Sequence, residues 1–312
     1  MRKRLFLAVL ILLSQSAYAA NSILIGLSYP KTGTHKWEGL SQVRGALMAI
    51  EEINAAGGVL GRSLELLDRD SASRPDKAST NIALFADQGV AMVMGSATSE
   101  EAIAAGRMAK ERGLLYFATR AYATDVTSRY GHTFLFREGP TAQMASSVLM
   151  EYLDAQLPNQ RYFIVTGDEV IPNGSIGSLV IATHARENAD PKHYRQALQA
   201  AAAGDAQVLV LMLYGEQLVD AMRLVEKLQL KKRMTIVVPN LNHEAIQQAG
   251  PALMEDVIGS DAWTWRTPER EKNPRGQAFV EAFVRAYGEY PTSSVASAYG
   301  VVHQWADAVA RA

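Results

Sequence analysis

The sequence predicts an α/β protein of two similar lobes, each a parallel sheet covered by helices. Three observations predict it. Short apolar runs alternate with longer amphipathic runs, the pattern of strands joined by crossover helices. That pattern runs to about residue 137 and then restarts. The chain of 312 residues is also longer than the ~250–300 at which a single core stops growing.

The first run is read as a segment outside the fold. "MRKR" is positively charged, "LFLAVLILL" is apolar, and "AYA" at Ala17–Ala19 is a small-residue cleavage pattern. Together they read as a secretory signal peptide over 1–19. The apolar run is too short to span a bilayer, and no later stretch reaches ~18 apolar residues. The sequence contains 0 cysteines, which excludes a lipid anchor on an N-terminal Cys. An exported chain of this length buries enough surface to fold without disulfides.

Lobe one then follows in order. "SILIGLS" is a strand, and "GLSQVRGALMAIEEINAAGG" is a helix whose Gly pair suits a left-handed C-cap. "SLELLDRD" alternates as a strand does, and "PDKASTNIALFADQG" is a helix opened by Pro-Asp. "VAMVMG", "SEEAIAAGRMAKERG" and "LLYFAT" are strand, helix and strand, making four strands and three helices. After "FLFREGP" come a helix in "TAQMASSVLMEYLDAQ", a strand in "RYFIVTGD" and a helix in "HYRQALQAAAAG". "AQVLVLMLYG", "EQLVDAMRLVEKLQL", "MTIVVPN" and "DVIGSDAW" read as strand, helix, strand and strand. Two helices, "GQAFVEAFVRAYGEY" and "SSVASAYGVVHQWADAVARA", complete the pattern.

Composition excludes several functions. A formal net charge of −1 argues against nucleic acid as a partner. The histidines at 35, 132, 184, 193, 243 and 303 form no pair at metal-ligand spacing on a helix face, so no metal and no cofactor is expected. There is no G-x-S-x-G, no Walker loop and no G-x-G-x-x-G. "GSIGS" lacks a strand immediately before it, so it is not read as a phosphate loop. An enzyme is not expected.

The order of these motifs resembles the type I periplasmic solute-binding proteins of the branched-chain amino acid and amide class. "EEINAAGGVLGRSLELLDRD", the Pro-Asp-Lys-Ala helix, "ERGLLYFATRAYATDV" and "FLFREGPTAQMASSVLMEYL" carry the likeness, most specifically over Ile53–Leu66. The resemblance implies two Rossmann-like lobes joined by a crossover hinge, with lobe one at 22–137 plus 270–312 and lobe two at 138–265. It also implies a periplasmic, monomeric protein that captures a small-molecule ligand in its cleft. The closed form then docks on an ABC transporter permease in the inner membrane.

The strand-to-helix junction "VMGSATSEEAIAA" is the first candidate site. Unpaired N–H groups and a hydroxyl at a helix start suit a carboxylate. The residues alone leave two readings, a plain N-cap by Thr98 or Ser99 and a ligand contact. The resemblance places Ser99 at the family's carboxylate-binding serine. It also places Arg120 and Tyr122 at ligand-contact positions, where Arg120 is a departure that would pair with a carboxylate. An aromatic contact falls on Tyr214. Asn240 falls where amino-acid binders often carry an acid for the ammonium, which weakens the branched-chain reading and leaves room for amides, urea-like solutes or carboxylates. Trp37 is either a cover for an apolar group or ordinary packing, and Trp263 and Trp265 are either hinge packing or cleft wall.

Two departures from the family pattern are expected. "EVIPNGSIGS" (Glu169–Ser178) stands where the first lobe-two helix belongs, and its Pro and Gly make a poor helix. "LVIATHA" is read as the remaining strand, with Asp168 and the loop as substitute contacts. The family's third crossover and final strand pair have no counterpart before Ala312. Besides an importer component, a periplasmic ligand sensor feeding a receptor or kinase and a degenerate, non-binding copy stay open as readings.

Overall fold

The computed structural model describes residues 22–167, 170–175 and 190–312. The expected signal peptide, Asp168 and the "LVIATHA" strand lie outside the described residues. The fold is mixed α/β, built on two sheets of five strands each.

The first sheet is wholly parallel. It contains β1 (Ile23–Tyr29), β2 (Leu64–Asp70), β3 (Met92–Gly95), β4 (Leu115–Ala118) and β5 (Leu135–Arg137), in the order β2-β1-β3-β4-β5. The fifth strand corrects the count of four. It hides in "FLFREGP" because three residues are too few to show a period. Crossovers are α1 (Lys36–Ala55), α2 (Pro75–Asp87) and α3 (Ser99–Arg112). Both faces of this sheet are covered, so β3 is apolar without alternation. Met92 and Met94 pack with Ile25 and Leu27 under α1. Val93 packs on the other face with Ile82, Phe85 and Ala102 of α2 and α3.

The second sheet contains β6 (Tyr162–Val165), β7 (Val170–Gly174), β8 (Val208–Leu211), β9 (Thr235–Val238) and β10 (Ile258–Gly259), in the order β10-β9-β8-β6-β7. Strands β6 and β8 are buried throughout. Helices α4 (Ala142–Gln156), α5 (Pro191–Ala203), α6 (Gly215–Lys227), α7 (His243–Ala249) and α8 (Pro251–Met254) accompany it. Leu149 and Leu153 of α4 pack on one face, and Leu198 of α5 with Leu218 and Met222 of α6 pack on the other.

Here the structure corrects a second expectation. Residues 170–174, expected as a loop in place of a helix, form an edge strand antiparallel to β6. Pro172 is compatible with that position because an edge strand leaves outward-facing N–H groups without a ladder partner. Three closing helices, α9 (Thr267–Arg270), α10 (Pro274–Tyr287) and α11 (Ser293–Arg311), return to the first sheet, where Val301, Val302 and Trp305 pack with Ile50 and Met94.

Candidate functional site

In open α/β sheets, loops at the carboxyl ends of the strands form the binding edge. The two sheets turn these edges toward each other. Tyr122, after β4, stacks on Tyr214, after β8, with ring centroids 6.2 Å apart and planes at 19°. Asn242 after β9 donates to Glu38 of α1 at 3.3 Å. Lys36 of α1 reaches Glu216 of α6 at 2.9 Å. Gly215 has φ +56°, and a Cβ there would lie 2.9 Å from the Thr34 carbonyl oxygen. Only glycine allows so close an approach between lobes.

The lobe-one edge is a closed network. Gly95 has φ +140°, and a Cβ would collide with the Ser28 carbonyl. The chain thereby turns sharply into Ser96, itself at φ +78°. Gln42 donates to the Ser96 carbonyl at 2.8 Å, and the Thr119 hydroxyl donates to the Gly95 carbonyl at 2.9 Å. Thr98 is the N-cap of α3, accepting from the Glu101 N–H at 3.2 Å, while the Glu101 carboxylate returns to the Ala97 N–H at 3.0 Å. This is a capping box displaced by one residue. Ser99 accepts from the Ala123 N–H at 2.9 Å and so fixes the loop that carries Tyr122. Thr98 and Ser99 thus each accept one backbone N–H within lobe one. The Ser96 Oγ is the hydroxyl there that is buried without a partner.

Arg120 is buried at 5% exposure. Its guanidinium carbon lies 5.1 Å from the Tyr122 ring centroid, and Nη1 donates to Ser293 at 2.9 Å. Ser293 in turn donates to Asp261 at 3.1 Å. Burial disfavours the guanidinium charge, but Tyr122, Glu244, Asp261 and Glu38 around it raise its pKa overall. Burial pushes the Asp261 carboxyl up to about 6 against the pull of Arg120. Burial also works to raise Glu38, yet its hydrogen bond to His35 and the charges of His35 and Arg120 hold it below the usual range. Burial, more than the opposing Arg120, keeps Tyr122 protonated far above its ordinary value.

Lobe two meets this cluster with unpartnered groups. Asn240 sits at φ +56°, buried at 5% exposure, and its Nδ2 has no partner. Both carboxylate oxygens of Glu244, 3% exposed, are buried without a partner. Strained backbone and unsatisfied buried polar atoms each cost free energy. Among the described residues no group of three or more His, Asp or Glu is arranged to hold a metal ion. A larger groove of about 890 Å³ lies beside Ile53, Trp263, Phe279 and Tyr299. It sits at the C-terminal end of α1, away from the strand ends, and so away from this cluster.

A family model described as periplasmic binding protein matches residues 22–312. The chain belongs to this family.

Among periplasmic binding proteins, the Leu/Ile/Val-binding protein homolog 7 of Brucella melitensis is 33% identical over 151 residues, covering 48% of this chain and 38% of that protein. The leucine-, isoleucine-, valine-, threonine- and alanine-binding protein of Pseudomonas aeruginosa is 37% identical over 147 residues, covering 45% of this chain and 39% of that protein. The chain thus matches less than two-fifths of the length of these relatives. The branched-chain amino acid transporter binding protein LivJ of Streptococcus pneumoniae, solved with isoleucine, shares the fold at a TM-score of 0.78 and 23% identity over 93% of this chain and 84% of that one. A Rhodopseudomonas palustris solute-binding protein, solved with benzoate, shares it at a TM-score of 0.76 and 17% identity over 93% and 81%. The family and fold are those of binding proteins.

Of the residues singled out from sequence, Arg120, Tyr122, Tyr214 and Asn240 converge at the facing strand ends. Trp37 lies at the margin, 45% exposed. Trp263 packs on Phe279, whereas Trp265 stacks on Tyr290 and meets His243 of α7 edge-on. Sequence reasoning missed Glu38, Glu244 and Asp261. Glu38 and Gln42, four apart on the helix face that carries Gly45, Ala46 and Ala49, are the signal that points to the first.

Proposed function

We propose that the protein is the exported binding component of an ABC importer, and that it captures a small polar solute between lobe one (22–137 plus 270–312) and lobe two (138–265). In this reading residues 1–19 direct export to the periplasm, and the closed form docks on the permease as a monomer. The observation that carries it is the convergence, at the facing carboxyl edges, of a buried Arg120 with the unpartnered Ser96, Asn240 and Glu244. A protein with no ligand to hold gains nothing from leaving such groups unsatisfied. Arg120, Tyr122, Tyr214 and Asn240 contact the solute, Trp37 covers its open side, and Thr98 and Ser99 hold the lobe-one loops in place.

The missing acid at Asn240 argues less strongly against amino acids than the sequence suggests. Glu38 and Glu244 bring carboxylates to the same space from other elements, so a ligand ammonium has a counter-charge. Calorimetric titration of the purified protein with amino acids, amides, urea and short carboxylates tests the reading. One-to-one binding of a member of this panel is expected. A folded protein that binds none of them refutes capture in the cleft.

A further inference from the structure

The charged cluster at the facing edges is drawn from both sides of the cleft. Asp261 follows β10 and Glu244 lies on α7, both on the second sheet's side. Arg120 and Tyr122 follow β4, His35 and Glu38 stand at the start of α1, and Ser293 opens α11, all on the first sheet's side. The acids are unequally matched. Glu38 lies 3.7 Å from His35 and accepts from Asn242 at 3.3 Å. Glu244 has the charge of Arg120. Asp261 only shares that guanidinium, and Glu244 pushes against it. Its hydrogen bonds come from neutral donors, the Ser293 hydroxyl at 3.1 Å and the Ala262 N–H at 2.8 Å.

A carboxylate taken out of water and short of counter-charge is the one that accepts a proton. The Ser293–Asp261 bond joins the two sides, so parting the edges breaks it and returns the carboxyl to water. Glu138 is a fourth acid near Arg120, raised by burial, but its partners Ser297 and Arg120 both lie on the first sheet's side and stay with it. Tyr122 stays protonated throughout.

We propose that closure of the cleft loads one proton onto Asp261, so that falling pH favours the closed form. The proposal rests on the reading that the two lobes open and close on a solute. One proton taken up on closing changes the closure equilibrium by up to about tenfold per pH unit. The window runs from the carboxyl's ordinary 3.8 to about 6. Above it neither form carries the proton, and below it both do.

The chain has 0 cysteines, so nitroxide labels on Lys77→Cys and Lys227→Cys, at exposed sites of α2 and α6, report the distance between the lobes by pulsed electron spin resonance. Without any solute, the population at the shorter distance is expected to grow as pH falls from 7.5 to 4.5. Asp261→Asn is expected to hold one distribution over that range. Where Asp261→Asn does not fold by circular dichroism, Ser293→Ala removes a donor to the charged carboxylate and is expected to move the midpoint to higher pH. A parent distribution that ignores pH, a response that survives Asp261→Asn, or a midpoint unmoved by Ser293→Ala overturns the coupling. Shortening on addition of an amino acid, amide, urea or carboxylate with no response to pH removes the coupling and leaves capture standing. A distance that changes with neither removes both.

Discussion

The two edges of the cleft differ in how far their buried polar groups are paired. Along lobe one, most of them answer one another: Thr98 with Glu101, Ser99 with Ala123, Gln42 with the Ser96 carbonyl, and Thr119 with Gly95, the Ser96 Oγ being the exception. Along lobe two, the Asn240 Nδ2 and the Glu244 carboxylate are buried without a hydrogen-bond partner. The difference teaches a division of labour. Lobe one is a preformed wall whose shape does not wait for a ligand. Lobe two brings the groups whose burial is compensated only when something is held. Preorganising one wall limits the ordering cost that binding must overcome.

The comparison breaks most visibly at Arg120, the cation that both edges share. Arg120→Ala leaves Glu38, Asp261 and Glu244 without their common counter-charge. A loss of about 3–5 kcal/mol is expected, the range for removing one partner of a buried pair. Urea unfolding checks it, and a loss below 1 kcal/mol would detach Arg120 from the cluster. Ser99→Ala strikes the closed wall alone. It orphans the Ala123 N–H and is expected to cost about 1–3 kcal/mol of stability. If the wall account is right, the loss shows in the thermal midpoint and reaches affinity only through the displaced Tyr122. An unchanged midpoint would free Ser99 from the wall.

Gly215→Ala tests the contact between the edges. A positive φ costs about 1–2 kcal/mol for an L-residue, and the added methyl presses on Thr34. The expected result is a larger radius of gyration by small-angle scattering, and an unchanged radius would show that the lobes do not need this approach. The smallest effect concerns Asp261. Its carboxyl ionises near 3.8 in the unfolded chain and near 6 in the folded one. The folded state therefore holds the proton longer, and rising pH between those values lowers stability through this group. Glu38, held low, acts in the other direction at lower pH. Asp261→Asn is expected to flatten the stability curve between pH 4 and 6, and a slope like the parent's would contradict the assignment.

Much of the fold was legible because strands buried on both faces are apolar throughout and the helices between them are amphipathic. What escaped were short elements. β5 has three residues, and β7 carries Pro172 and Gly174 in a segment that reads as a turn. α7 begins at an Asn cap inside "NLNHEA", which also reads as a turn. The site was half legible. Arg120, Tyr122, Tyr214 and Asn240 sit at strand ends, where position alone marks them. Glu38, Glu244 and Asp261 come from three distant segments, and only the crossing of α1, α7 and the loop at 260–266 brings their charges together. The same limit applies to Thr98 and Ser99, since a cap and a ligand contact ask for the same residue at the same place.

Calorimetric titration of the purified protein at pH 7.5 with arginine, lysine, leucine, benzoate and urea tests the central claim most directly. One-to-one binding of a member of this panel is expected, and its loss in Arg120→Ala. A cooperatively folded protein that takes up none of the five, with its unanswered groups still buried, would contradict it.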